Sequence, residues 1–452
     1  VSQVLAVPVG VEVGARVARP GTRRRGGTLT ERMVCGYFTV LPVLWLLGLY
    51  LPAIFLLIIV AFFISVRSRR AWGHALPWFG VALAQITSII INWAQTDQPF
   101  WMLGKHLLAG YASGWYMLGA AVGLGASGHI RAKPFLRAIA RLGFASVVLG
   151  AVAYTLAFTS GQEQLHVLTP VGHLLPTGLT STGFFFGLYL FDWQRFLGMN
   201  LPRIALFFPW CAIAGYAGLY LILIIANERA PRRRHLVTAC GVLMVLASLS
   251  RLAAVALLVC LFVRWYLGRS FRLQIPLAAV GVTAATVLWM WAGSMLAVVQ
   301  EAQDRMASMR PGSSAVRERI YEASWEGIRS APILGHGWPG ESVMSMSEDD
   351  QSIYGSGPER IVVGTHSTIS GVLYKGGLLT FLALVFAFGR TAAVIGRSRG
   401  DPMVRRSTLA LLVALVLTGI GEGLEALVVP TIFVYLWIGI ALRASRPERQ
   451  VA

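Results

Sequence analysis

Charge is scarce in this chain, and acidic charge most of all. Its 452 residues include 20 Asp and Glu against 39 Lys and Arg, and charged residues make up 13% of the whole, where a soluble domain carries about 25%. That deficit, beside 56% hydrophobic residues, excludes an ordinary soluble globular protein. Cysteine is equally sparse. Cys35, Cys211, Cys240 and Cys260 lie in or at the ends of apolar runs without a CxxC pair, so neither disulfides nor a zinc site is expected. No DxD-like or His/Asp/Glu metal cluster occurs. The net charge of +19 does not point to nucleic acid, because the positive charge falls in short clusters between apolar runs. That is the positive-inside pattern of a membrane protein.

Apolar runs fill the rest. They fall near 34–47, 51–66, 74–92, 106–126, 143–159, 208–226, 235–250, 252–267, 275–298, 370–390, 407–427 and 429–443, and runs of about 20 residues are transmembrane helix candidates. The first two are short. Arg23 to Arg25 before the pair and Arg67, Arg69 and Arg70 after it are both cytoplasmic only if an even number of crossings separates them. Twelve spans with the N-terminus inside place every basic cluster inside, 28 of the 39 Lys and Arg. A further apolar stretch, 178–200, would make a thirteenth span, reverse every later loop, and run into Asp192 and Arg195. It is read as interfacial or re-entrant.

The expected fold is therefore an all-α polytopic membrane protein of about twelve transmembrane helices, with a large periplasmic loop containing short helices. Residues 1–33 read as a cytoplasmic basic tail and not a cleaved signal peptide, since no small-residue cleavage site follows the arginines. Residues 34–299 hold helices one to nine, with an outer interfacial segment at 160–207. The periplasmic loop is 300–366, the last three helices lie within 367–443, and 444–452 is a second cytoplasmic tail.

That loop is the one long polar stretch, and the segment from Gln300 to Ser367 holds ten of the twenty acidic residues. Loops carry function when a rigid scaffold positions them. Within it, SSAVRERIYEASWEGIRSAP reads as a helix, with Val316, Ile320, Ala323 and Ile328 on one face, Ser313 or Ser314 as N-cap and Pro332 as terminator. ILGHGWPG reads as a glycine-rich turn, and EDDQSIYGSGPE as irregular.

Few charged groups stand near the outer membrane face, and such groups default to functional hypotheses. Arg251 sits between two apolar runs with almost no loop around it. Arg203 precedes the run that begins near Pro209, Arg317 lies on the loop helix, and His366 with Ser367 opens a membrane helix. Each also has an ordinary role open to it: a snorkelling anchor for Arg251, a flanking charge for Arg203, a solvated pair with loop carboxylates for Arg317, a structural histidine for His366. If they converge, arginine forks and a helix N-terminus suit phosphate oxygens, and a histidine can take a proton near neutral pH. That constellation suits a lipid-linked pyrophosphate. Glu422 and Glu425 stand apart from it, with a gating or packing role open.

Three pieces of the sequence, LASLSRLAAVALL, RERIYEASWEGIRSAPILGHG and HSTISGVLYKGGLLTF, resemble the signatures of the O-antigen ligase and O-antigen polymerase superfamily. Its loop arginine before a P-l-l-G-x-G turn is matched by Arg317, Pro332, Gly335 and Gly337, and its H-[NSQ] helix start by His366 and Ser367, with Gly377 eleven residues on. The chain departs at Lys375, where the family often has an acid, at Thr380 in place of a second glycine, and at FFPW near Arg203. The resemblance covers roughly 200–390. It implies an inverting, metal- and cofactor-independent transferase of the bacterial inner membrane, facing the periplasm. The donor would be undecaprenyl-pyrophosphate-linked O-antigen and the acceptor lipid A–core oligosaccharide. His366 would be general base, Arg251 and Arg317 would hold the pyrophosphate, and Arg203 and Ser367 would assist in donor binding. An O-antigen polymerase or a protein O-oligosaccharyltransferase shares the fold. A transporter or flippase for a lipid-linked sugar is the rival of another class; it predicts internal repeats or midplane ionisable groups, and no repeat is present.

Overall fold

The computed structural model describes residues 27–65, 69–108, 111–175, 186–196, 199–208, 210–270, 273, 274, 276, 311–344, 359–365, 367–428 and 430–445. His366 lies outside them, as do the side chain of Arg317, nearly all of the 275–298 run, most of EDDQSIYGSGPE and the N-terminal tail. The described residues form a helical protein with several apolar helices of membrane length. Four are long and apolar enough to cross a membrane, Ala71–Ala94, Ala132–Thr159, Thr368–Gly396 and Pro402–Gly421, and Tyr50–Ser65, Cys211–Ile225 and Ile432–Ala444 are shorter apolar helices.

In chain order the first helices are α1 (Leu29–Leu47), α2 (Tyr50–Ser65), α3 (Arg69–Ala94), α4 (Phe100–Leu108), α5 (Tyr111–Ala126) and α6 (Ala132–Thr159). After β1 (Gln164–Leu168), α7 (Pro170–Leu174), β2 (Gly187–Phe196) and β3 (Met199–Leu206) come α8 (Cys211–Ile225), α9 (Pro231–Ala247) and α10 (Arg251–Tyr266). The loop contributes α11 (Pro311–Ser330), β4 (Gly340–Met344) and β5 (Glu359–Val363), and the chain continues through α12 (Thr368–Gly396), α13 (Pro402–Gly421), α14 (Leu424–Leu427) and α15 (Ile432–Ala444).

The core sits around α8 and α15. Every residue of α8 is buried, and α15 is buried from Ile432 to Leu442. A helix apolar on all sides belongs at the centre of a bundle. Next to α15 runs α5, and the two approach so closely that a Cβ on Gly125 would strike the Leu436 carbonyl and one on Gly439 the Val122 carbonyl. Such contacts between small residues are how apolar helices pack without a hydrophobic drive between them.

The all-α expectation is corrected by five strands. β1, β2 and β3 form an antiparallel sheet in which Asp192 faces Arg203 and Phe191 faces Ile204. GLYLF at the start of β2 is a continuous apolar run, which periodicity alone cannot assign to helix or strand. Here Phe191 is fully buried, and the sheet packs on the end of α6 and the start of α8. A second, two-stranded antiparallel sheet joins β4 to β5.

The basic turns gather at the other end of the bundle. The Thr28 hydroxyl donates to the His129 carbonyl at 2.7 Å, Arg131 pairs with Glu31 at 2.6 Å, and Ser407 donates to the Asn227 side chain at 3.0 Å. The starts of α1, α6 and α13 and the end of α8 therefore share one level. The hydrogen bond from Arg131 holds the Glu31 carboxyl below its usual range, with burial opposing it.

Candidate functional site

The loop enters the membrane bundle through a break in α12. Gly377 has φ +62° and ψ −167° in the middle of that helix, and the glycine-rich turn after α11 lies in the gap. Leu378 and Leu379 donate their N–H groups to the Pro332 and Ile333 carbonyls at 2.8 and 3.2 Å. From the other side, the N–H groups of His336 and Gly337 donate to the carbonyls of Tyr374 and Lys375 at 2.8 and 2.7 Å. Backbone groups freed inside a membrane helix must find partners within the protein, and the turn supplies them. A Cβ at Gly377 would collide with the Ile333 carbonyl, and one at Gly335, with φ +64°, would come within 2.6 Å of the Gly377 nitrogen. The two glycines are required by close approach as well as by backbone angle.

Three side chains of α3 close the other side. Gln85 donates to the Gly337 carbonyl at 2.9 Å, Asn92 to the Gly335 carbonyl at 3.0 Å, and Ser88 lies between the carbonyls of Leu334 and Lys375, 2.8 Å from the latter. These contacts were not read from the sequence, although three polar residues at positions i, i+3 and i+7 of an apolar helix mark one polar stripe. Ser88→Ala leaves buried carbonyls with one donor fewer and is expected to lower stability by about 1–3 kcal/mol. Thermal unfolding in detergent measures it, and an unchanged midpoint would show that the hydroxyl carries none of this load.

α11 begins at Pro311, two residues before the expected cap, and its buried face is Ile320, Ser324 and Ile328. Ile328 packs with Val363 and Tyr374, and the Ser324 hydroxyl accepts from the Gly364 N–H at 3.1 Å. The His336 ring packs on Tyr374 at 4.7 Å, with its Nε2 2.9 Å from the Gly327 carbonyl. The helix that carries Arg317 is thereby fastened to the strand that leads to position 366.

The start of α12 is held just as firmly. Ser367 is the N-cap; its hydroxyl accepts from the Ile369 N–H at 3.2 Å and donates to the Gly419 carbonyl at 3.1 Å. The fold thus uses its proton and one lone pair, and the residue is buried. Thr368 donates its N–H and its hydroxyl to the Glu422 carbonyl, at 3.0 and 2.9 Å, and accepts from the Leu424 N–H at 2.7 Å. Trp210 donates to the Glu422 carboxylate at 3.2 Å.

Arg203 and Arg251 both stand at the turn between α9 and α10. Ser250 caps α10, accepting from the Ala253 N–H at 3.3 Å, and Arg251 is its exposed first residue. Leu249 takes a left-handed φ of +48° to make the turn. Arg203 donates from Nε to the Ser248 carbonyl at 3.0 Å, and its NH1 stands 3.8 Å from Asp192. These contacts hold it beside the Arg251 turn. Burial and the Asp192 carboxylate push the Tyr189 phenol above its ordinary range. A Cβ on Gly421 would lie 2.6 Å from Leu252, so this turn stands beside the end of α13 that holds Ser367 and Thr368. The structure gathers Arg203, Arg251 and Ser367 at one end of the bundle.

Below them lies an ion pair that the sequence reading left unmatched. Lys375 Nζ is 2.5 Å from Glu425 Oε1, with 1% and 0% of the two side chains exposed. Among the described residues, no group of three or more His, Cys, Asp or Glu is placed to hold a metal ion.

Residues 236–385 match the O-antigen ligase family (Wzy_C). They run from α9 through the loop into α12 and contain Arg251, Arg317, His366 and Ser367. No curated protein matches the chain.

Proposed function

We infer from the O-antigen ligase domain at residues 236–385 that this chain is a glycosyltransferase of the O-antigen ligase type. That domain is the observation that carries the reading. The proposed reaction moves O-antigen polysaccharide from undecaprenyl pyrophosphate to a sugar hydroxyl of lipid A–core. It proceeds at the periplasmic face of the inner membrane in a chain of twelve spans, as one in-line displacement with inversion at the anomeric carbon. His366 takes the proton of the acceptor hydroxyl as the new glycosidic bond forms. Arg251 and Arg317 bind the pyrophosphate and stabilise the charge that builds on it as the old bond breaks.

Several placements support these roles. Arg251 is exposed at the first position of α10, where the helix N-terminus adds its own attraction for an anion. Arg203 donates from Nε to the Ser248 carbonyl and stands near Asp192, beside the Arg251 turn, where it assists in donor binding. Ser367 serves donor binding by capping α12 and fixing where that helix begins. Arginines supply the charge neutralisation that a cation supplies elsewhere, and the reaction needs no metal.

The test is reconstitution of the purified full chain with lipid-linked O-antigen and lipid A–core in the presence of EDTA. The expected result is a ladder of conjugates on the core. Elongation of donor on donor would instead make it a polymerase, and transfer to added protein a protein oligosaccharyltransferase. Donor movement across vesicles without transfer would make it a flippase. Loss of the ladder in EDTA with recovery in magnesium would overturn the arginine-only pyrophosphate site.

A further inference from the structure

At the basic end of the bundle, α6, α9 and α13 all begin around one cavity of about 610 Å³. Four cations reach it. Lys133 and Arg137 stand one turn apart on α6, and Arg229 and Arg233 come from the α8–α9 turn and the first turn of α9. Its two carboxylates are already engaged. Glu228 accepts from Arg233 at 3.1 Å and from the Ala230 N–H at 3.1 Å, and Asp401 caps α13 by accepting from the Met403 N–H at 2.8 Å. The N-caps of α6 and α9 are Arg131 and Ala230, and neither makes a side-chain capping bond. Two helices, of 28 and 17 residues, start at the cavity, each with a carboxylate, Glu31 or Glu228, accepting from its N-cap N–H at 2.9 or 3.1 Å, and the four cations leave the cavity with an excess of positive charge. The rest of the wall is Asn227, whose side chain is held by Ser407 and the Ile224 carbonyl, and the apolar Leu136, Val404 and buried ring of Trp437.

Topogenic charge alone explains basic residues in loops, but it requires no enclosure. Arg32, Arg397 and Arg399 stand at the same end, exposed like Lys133, Arg137 and Arg229, but line no part of this cavity. What distinguishes it is shape: a volume within the roughly 300–1,000 Å³ of small-molecule sites, with cations on one side and aliphatic and aromatic surface on the other. We propose that this cavity binds the phosphodiester headgroup of an anionic phospholipid of the inner leaflet, its acyl chains lying along the apolar helix surfaces beside it. Arginine forks recognise phosphate oxygens, and basic pockets between membrane helices at this level favour such headgroups. This site lies at the opposite end of the bundle from the sheet and the Arg251 turn, and it stands or falls independently of the transferase reading.

The experiment measures lipid binding to the full chain in neutral detergent by native mass spectrometry and thermal unfolding, with phosphatidylglycerol, phosphatidylcholine and inorganic phosphate as probes. Phosphatidylglycerol is expected to give discrete adducts and raise the unfolding midpoint, and phosphatidylcholine to do neither. The triple variant Lys133→Gln/Arg137→Gln/Arg229→Gln should bind phosphatidylglycerol more than about tenfold more weakly. The control Arg32→Gln/Arg397→Gln/Arg399→Gln removes as many charges outside the cavity and should bind like the unaltered chain. Equal weakening in both variants would reduce the effect to general surface charge and overturn the site. So would an equal response to phosphatidylcholine. A midpoint shift with inorganic phosphate as large as that with phosphatidylglycerol would assign the cavity to free phosphate and overturn the lipid. If the first variant fails to fold, Lys133→Gln/Arg229→Gln keeps Arg137 and Arg233, and unchanged adducts there would equally overturn the proposal.

Discussion

Alanine at His366 is expected to lower turnover by about 10²–10⁴-fold while leaving the chain folded and donor binding near its original strength. The backbone on both sides of position 366 is anchored by bonds among its neighbours. Gly364 donates to Ser324, Ser367 is tied to Gly419, and Thr368 is tied to Glu422 and Leu424. Removal of the ring should therefore remove chemistry and little else. Arg251→Ala and Arg317→Ala should differ in kind, weakening donor binding as well as turnover. Lysine should rescue either one poorly, because it keeps the charge and loses the planar fork. His366→Gln separates the base from a simple hydrogen-bond donor to phosphate. Glutamine retains an N–H and is a poor base, so the variant should be nearly as slow as alanine. Binding of a lipid pyrophosphate and single-turnover rates, measured side by side, decide it, and a His366→Gln enzyme of near-normal rate would leave an electrostatic site with no base.

The parts of this molecule legible in the sequence are those written in local pattern. The apolar faces of α11, its stop before Pro332 and the turn at Gly335 and Gly337 all follow from spacing and from the two residues that punctuate backbone. What the pattern could not convey is partnership across distance. Nothing near Gly377 says that its helix opens to admit the Pro332–Gly337 turn, nor that Gln85, Ser88 and Asn92, some 240 residues upstream of the turn, face it from α3. Strand β2 was unreadable for a different reason. Its first half is apolar throughout, and only pairing with β1 and β3 shows that it is extended. Arg203 is a candidate for the pyrophosphate in the sequence because a lone arginine before an apolar run asks for an anion; that it also reaches Asp192 and the Ser248 carbonyl, beside the Arg251 turn, is a partnership no local pattern conveys.

Lys375 shows the same limit and carries the second large expectation. The superfamily resemblance places an acid nine residues after the histidine, and a lysine there has no sequence neighbour to neutralise it. Its partner is Glu425, fifty residues on, in the short helix α14. The pair lies next to the break in α12: the Lys375 carbonyl accepts from Gly337, and Gly423 at the entry to α14 packs near the Thr365 carbonyl. It thus ties the inserted turn to the segment flanking His366. Removing one partner of a buried pair strands the other charge and costs about 3–5 kcal/mol. Lys375→Met and Glu425→Gln should each lower stability by about that much, with loss of the proposed transferase activity following the loss of fold. The double variant Lys375→Met/Glu425→Gln strands no charge and should recover most of the stability, since apolar or neutral replacements of buried pairs are often close to neutral. Its activity then separates two roles. An enzyme that is stable but slow would mean that the pair sets the geometry of the α12 start and not merely its stability. Unfolding of the three variants in mixed detergent, analysed as a double-mutant cycle, gives the coupling directly. If the double variant were as unstable as the sum of the single ones, Lys375 and Glu425 would be independent, and the pair would lose its place in this account.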